Sequence, residues 1–399
     1  MKAGWQHKTI DAVCEVVNGG TPKTGTAEYW DGPHQWITPA EMGKRATPFI
    51  ELTERALTDA GLQNSSARLL PAQSVILSSR APIGHLVINT VPMATNQGCK
   101  GLVPRAGLDC KFLYYYLTSI VPLLNDLGTG ATFKELSGGK LKEVPIPVPS
   151  FPEQHRIVAI LDEAFDGIAT AKANAEQNLQ NARALFESHL KKVFMERGEG
   201  RISTTLEKAT GGVFTGPFGS LLHKRDYVVD GIPLVNPAHI TATGIEPDMQ
   251  KTVSVETTKR LSSYIMREGD IVIGRRGEMG RCALITDVED GWLCGTGSFF
   301  IKPAKHCDPR YLVRYLRSDA CKQMLEKMAG GAVMPNLSNT DLGNLPIDLP
   351  PFARQKAIVG EIETLHTETQ RLESLYQQKL AALDELKKSL LHQAFSGQL

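Results

Sequence analysis

Basic and hydrogen-bonding side chains gather in loops at matching places in the two halves of this 399-residue chain. In the first half, the loop at 19–26 offers Gly20, Thr21, Lys23 and Thr24 and no acidic side chain, while Arg80, Asn96 and Gln97 fall on turns between strand-like runs. Two Gly-rich loops, 129–134 and 330–336, add Thr132, Lys134 and Asn336. The second half supplies Thr215, Ser220, Arg275, Arg276, Arg281 and Ser298. Phosphates are met by Arg, Lys, Ser, Thr and backbone N–H groups in open loops, with Gly letting the backbone come close. Base edges favour Arg for guanine and Asn or Gln for adenine. These residues are therefore candidates for nucleic-acid contact. Each has a plainer alternative in a solvated turn, and Arg80 in a carboxylate partner that holds its turn. Arg80 has the stronger case, because Arg276 stands at the equivalent place in the second half.

Equipment for covalent chemistry is missing from the sequence. It holds no Asn-Pro-Pro-Tyr or Asp-Pro-Pro-Tyr for amine methylation, no nucleotide loop ending in Gly-Lys-Ser/Thr, no His-Glu-x-x-His and no Gly-x-Ser-x-Gly. Pro247-Asp248 with Lys251 lacks the second acid of a nuclease signature. The ten histidines show no ligand spacing, and the seven cysteines form no CxxC, which argues against zinc and against a disulfide framework. A non-catalytic binding protein with reduced thiols, located in the cytoplasm, is the expectation.

Two long helical segments, 151–197 and 352–399, must position these loops. Phe151 falls on Phe352, Gln154 on Gln355, Ile157 on Ile358, Leu190 on Leu391 and Phe194 on Phe395, always with the same shift and no insertion. An internal repeat of this kind divides the chain before any other reading. Apolar residues step by three and four along each segment: Ile157, Leu161, Ile168, Ala175, Ala182, Leu185 and Val193 in the first, Ile358, Ile362, Leu365, Leu372, Tyr376, Leu383, Leu386 and Leu390 in the second. That narrow stripe predicts a coiled coil, and at 1.5 Å per residue each helix should run about 60–65 Å. Because the first helix carries the chain from one globular portion to the other, a paired second helix must run back. The expectation is an antiparallel pair, an approximate twofold axis and two similar docking sites.

The heads, 1–150 and 198–351, read as mixed α/β. HQWITPAEM and SVILSSRAPIGHLVI suggest strands, the latter broken near Arg80, and CKFLYYYLTSIVPLL a short helix whose Tyr114–Tyr116 face is buried. Trp30 and Trp36 read as core. VPIPVPSFP should end regular structure before the long helix, since proline lacks a ladder donor. No run of about 18 apolar residues predicts a membrane span. A net charge of +1 neither requires nor excludes a nucleic-acid partner, because basic residues can cluster locally.

The chain resembles the specificity subunits of type I restriction–modification systems. The resemblance rests on the entry to each long helix (147–154, and more loosely 346–355), the Asn-Gly-Gly-Thr-Pro-Lys loop at 18–23, Tyr29-Trp30 followed by Trp36-Ile37-Thr38-Pro39, and the ending Ala394-Phe395-Ser396-Gly397-Gln398-Leu399. The second half departs from the pattern in Phe352-Ala353-Arg354-Gln355 and in GGVFTGPFGS. The resemblance implies an α+β protein with two target-recognition domains separated by two helices in an antiparallel coiled coil. Each domain would read one half of a two-part site on double-stranded DNA, and the helices would set the spacing. Two methyltransferase subunits would dock on the chain and two restriction–translocation subunits would join them. The chain itself would hold no cofactor; the partners would bring S-adenosylmethionine, ATP and Mg²⁺. The alternatives are a coiled-coil adaptor that binds proteins, or a specificity subunit of a related multi-subunit methyltransferase.

Overall fold

In a computed structural model of the protein the two long segments are helical without a break, Phe151–Met195 and Phe352–Ser396. The structure describes residues 4–45, 47–130, 134–195, 200–218, 221–329 and 336–399. The chain forms two compact units, Met1–Glu176 with Gln377–Leu399, and Gln177–Tyr376. Each unit therefore contains one head and a portion of both long helices.

The head of the first unit is built on a five-stranded sheet in the order Cys14–Asn18, Cys99–Pro104, Val75–Ser79, Ile83–Asn89, Phe49–Ile50. Beside it lies a three-stranded sheet in which Trp30–Ile37 pairs in parallel with Met93–Thr95. The second unit repeats the plan with four strands in the order Thr210–Thr215, Ser298–Pro303, Ile271–Gly274, Cys282–Leu284. Its short parallel pair is Leu234–Val235 with Leu293–Cys294. In each unit one sheet face packs on helices. Leu77, Phe112, Leu117, Ile157, Leu161 and Leu391 share one core in the first; Ile273, Tyr311, Leu316, Val193, Ile358 and Ile362 share one in the second. Fully burying each such side chain contributes about 1.5–3 kcal/mol, so the long helices are integral to both cores.

Within each unit the helix portions run antiparallel. In the first, Lys387 lies 5.0 Å over the Phe165 ring, Lys172 pairs with Asp384, and Arg156 donates to the Leu399 carbonyl at 2.7 Å. In the second, Arg183 meets Glu373 at 2.7 Å and the Phe186 and His366 rings stand 5.3 Å apart. Partners rise in number on one helix as they fall on the other, which is coiled-coil pairing in the opposite sense. Two expected seam residues are not in it: Leu185 is 65% exposed and Leu386 47%. Phe186 and Leu190 pack on the core in the region of Leu185, and Thr369 supplies a buried polar position that an apolar pattern passes over.

Three local expectations are corrected. Pro145–Val148 is a strand, paired antiparallel with Gln6–Thr9 as Pro346–Leu349 is with Ile202–Thr205. Pro145 and Pro147 stand two residues apart, so both missing donors fall on the same, open edge of a two-stranded ribbon, where proline is tolerated. The strand in HQWITPAEM stops at Ile37, because Thr38 caps a helix Pro39–Met42 by accepting from the Glu41 N–H at 3.3 Å. CKFLYYYLTSIVPLL is two helices, Cys110–Ser119 and Val121–Leu127, the second with Pro122 in its first turn. Tyr115, Tyr116, Trp30 and Trp36 are buried as expected.

Candidate nucleic-acid interface

Each head meets its long helix through a buried glutamine. The Gln154 carbonyl accepts from the Asp109 N–H at 2.8 Å, and its amide donates to the carbonyls of Gly107 (2.9 Å) and Pro149 (3.0 Å). Gln355 does the same with Asp308 (2.8 Å), His306 (3.0 Å) and Pro350 (2.7 Å). Both are fully buried. Asp109 and Asp308 in turn cap the helices Cys110–Ser119 and Pro309–Arg317. The hydroxyl of Tyr116 donates to the Pro145 carbonyl, and that of Tyr315 to Pro346. A buried amide with all these partners fixes a joint, since leaving any of them unpaired costs about 1–3 kcal/mol.

The candidate loops collect at one end of each sheet. In the first unit, Asn18 lies opposite Lys100 and Ser78 opposite Cys99, so the segments after Asn18, after Ser79 and before Cys99 open on the same side. The Gly19 N–H donates to the Cys99 carbonyl (3.1 Å), Asn96 to Ile37 (2.8 Å), Ser79 to Gly98 (2.8 Å) and Leu136 to Ser79 (2.8 Å). The second unit repeats these bonds: Gly216 to Ser298 (3.1 Å), Gly295 to Val235 (2.8 Å), Arg275 to Gly297 (3.0 Å) and Leu337 to Arg275 (2.9 Å). Bridges between Arg80 and Glu135, and between Arg276 and Asn336, complete the match. Arg80 and Arg276 are thus structurally equivalent, as are Glu135 and Asn336.

Glycine is required where these loops cross. A Cβ on Gly19 would stand 1.9 Å from the Asn96 carbonyl oxygen, and one on Gly216 would stand 1.9 Å from that of Gly295. A Cβ on Gly20 would meet the Ala67 nitrogen at 2.2 Å. Gly20 is buried; its N–H donates to Thr95 (2.9 Å) and its carbonyl accepts from the Trp36 indole (3.0 Å). It has no group left for a phosphate, and the glycines admit the protein's own backbone instead.

The side chains sort into three groups. Lys23, Thr24, Gln97, Lys134, Arg276 and Asn336 are exposed at the loop surface. Thr21, Asn96, Arg80, Thr215 and Arg275 are partly buried and mostly engaged. Asn96 donates to the Thr21 hydroxyl at 2.9 Å and accepts from the Gly98 N–H at 2.8 Å, while Arg80 meets Glu135 at 3.6 Å. Thr215 ends its strand opposite Phe299. The Arg275 guanidinium lies 5.3 Å from the Phe218 ring and 5.4 Å from that of Phe299, and its Nε donates to Asn336 at 3.1 Å. Burial, and secondarily the neighbouring Arg276, lowers its pKa from the ordinary arginine value. The third group is Ser298, fully buried in its strand, and Arg281, which is about as exposed as Arg80 and donates to Glu278 at 2.8 Å and to the Pro237 carbonyl at 3.5 Å. Thr132 and Ser220 lie outside the described residues.

Phe218, Glu135 and Lys100 were not singled out from the sequence. Phe218 is 49% exposed beside Arg275 and takes the place held by Thr21 in the first unit. A lone aromatic in GPFGS between glycines was the available signal. Lys100 gave none, because it sits in a strand among buried neighbours.

Comparison with known proteins matches this architecture. Residues 2–181 and 217–381 match the family described as type I restriction modification DNA specificity domain, and the chain belongs to that family. It is a DNA-target recognition subunit of a type I restriction–modification system. It is 28% identical over 361 residues to the type I restriction enzyme MjaIX specificity subunit of Methanocaldococcus jannaschii, covering 87% of this chain and 83% of that protein. The fold is similar to that of the HsdS subunit from Thermoanaerobacter tengcongensis, with a TM-score of 0.68 at 17% identity, covering 100% of this chain and 98% of that one. It is also similar to a chain in a structure on complex assembly and conformational transition of the type I R-M system, with a TM-score of 0.75 at 17% identity and coverage of 100% and 99%.

Proposed function

We propose that the heads, 1–150 and 198–351, each read one half of a two-part DNA target through the loop cluster at the end of the sheet. The helices 151–197 and 352–399 act as the spacer between the halves and as the docking surface for two methyltransferase subunits, to which two restriction–translocation subunits are added. In this reading the chain performs no chemistry, works in the cytoplasm, and its partners bring S-adenosylmethionine, ATP and Mg²⁺. One observation carries it: the same backbone-built loop cluster occurs twice, with different side chains projecting from it. A repeated scaffold with divergent contacts is what reading two different short sequences demands, since phosphate contacts position a head and side chains at base edges specify it. Exposed Lys23 and Lys134 suit the phosphates, and Arg80, Arg276, Gln97 and Asn336 the bases.

The test is methylome sequencing of cells carrying the partner methyltransferase, with and without this chain. A methylated motif of two short parts around an unread gap, present only with the chain, is expected. If no such motif arises while the methyltransferase is active with another specificity subunit, the heads do not direct methylation and a protein-binding adaptor takes their place.

A further inference from the structure

Behind Arg80 in the first head lies a largely enclosed lysine. Lys100 is 6% exposed, and among the described residues no hydrogen bond or ion pair reaches its ammonium. Burial lowers its pKa from the usual lysine value, and the charge of Glu135 acts against that. Gly98 lies in the turn just before the strand whose second residue is Lys100, and Arg80 Cγ and Nε lie 3.2 Å from where a Gly98 Cβ would stand. Arg80 thus passes over the turn that leads into Lys100's strand while paired, loosely at 3.6 Å, with a Glu135 that is 43% exposed. The Ser79 hydroxyl, opposite Gly98, is also buried without a partner among the described residues. A largely enclosed lysine and a buried hydroxyl are two donors beside one acceptor, and Glu135, whose charge reaches Lys100, is the acceptor at hand.

At the same positions the second head lacks both the lysine and the carboxylate and carries an arginine in place of the serine. Phe299 replaces Lys100, Arg275 replaces Ser79 and Asn336 replaces Glu135. Where no carboxylate lies under the arginine, no buried lysine is kept.

We propose that Glu135 changes partners when the first head meets DNA, leaving Arg80 for Lys100, so that Lys100 is a positioning residue for Arg80. This rests on the reading of the loop cluster as a DNA interface. With Arg80 turned to DNA, an unclaimed Glu135 would face the phosphates and repel them. Drawn back to Lys100, it is neutralised and Arg80 is free. On DNA that offers Arg80 no matching base, Glu135 keeps its first partner, so the exchange favours the correct half-site.

The experiment uses the complete complex with its methyltransferase subunits and measures affinity by fluorescence anisotropy. One duplex carries the motif found by methylome sequencing; the other has the first head's half-site scrambled. Lys100→Met is expected to weaken binding to the motif about tenfold and to leave the scrambled duplex nearly unchanged. Glu135→Gln should tighten binding to the scrambled duplex several-fold and narrow discrimination, because it removes both the restraint and the repulsion. In the Glu135→Gln background, Lys100→Met should change affinity by less than about twofold, the non-additivity expected of coupled residues. Lys100→Arg should retain the wild-type preference, and Lys100→Gln stands in if the Met variant melts early. Equal effects of Lys100→Met in both backgrounds, or none in either, overturn the exchange. Arg80→Ala separates the two levels: if it alters neither affinity nor discrimination, the DNA reading of this loop cluster fails. If it alters them while Lys100→Met does not, only the exchange fails.

Discussion

The joint at Gln154 and the joint at Gln355 make the same contacts, one carbonyl accepting and one amide donating twice, in two heads whose sequences have otherwise drifted apart. The loop clusters at the far end of each sheet behave differently. Their backbone bonds coincide, yet Thr21, Asn96, Lys100 and Glu135 in one stand where Phe218, Gly295, Phe299 and Asn336 stand in the other. The contrast teaches where variation is tolerated. A buried amide with its partners in place admits no substitute without unpaired groups, whereas a loop held by main-chain bonds can carry almost any side chain outward. A subunit that changes its target by changing loops while keeping its frame needs that division.

The strongest way to break the comparison is at the crossing glycines. Gly19→Ala and Gly216→Ala each drive a methyl into a backbone carbonyl, and each should destabilise its own unit by about 4 kcal/mol or more. Differential scanning calorimetry on the complete chain reads the loss; unchanged melting of either variant would mean the loops do not cross as described. Gln154→Leu and Gln355→Leu should each cost about 2–4 kcal/mol in urea unfolding, and by similar amounts. A loss in one joint and none in the other would deny that the joints are equivalent. Arg80→Ala and Arg276→Ala sharpen the comparison at the surface. Each should relax recognition by about 1–3 kcal/mol, confined to one half of the methylated motif and to opposite halves in the two variants. Relaxation of both halves by either change would refute independent reading. The smallest effect is expected from Arg183→Met, which breaks the ion pair with half-exposed partners on the long helices. It should move the melting temperature by no more than about 1–2 °C, and a larger shift would give that pair a role beyond a solvated flank.

Much of the frame was legible in residue order. The two helices announced themselves by a three-four apolar step and by constant spacing of matched residues such as Phe151 and Phe352. The pairing of Gln154 with Gln355 and of Arg80 with Arg276 followed from laying the halves together. These features are local or repetitive, so periodicity and self-comparison reach them. The ribbon strand Pro145–Val148 was missed because proline argues against strands in general, and only the partner Gln6–Thr9, far away in sequence, decides which edge is left open.

Sequence by itself thus determined the doubled head-and-helix plan and the direction in which the second helix must return, and it singled out the loops proposed here for contact. Only the tertiary structure decided what each loop residue is free to do. Gly20 and Ser298 are enclosed, and Arg281 pairs with Glu278 within its own turn. Arg80 is half-held by a glutamate from the far end of its head, and Lys100 waits behind it. Those outcomes depend on contacts between segments tens of residues apart, such as Thr21 with Asn96 and Arg80 with Glu135. No local rule of spacing encodes such contacts, because they are set by how the strands are ordered in the sheet.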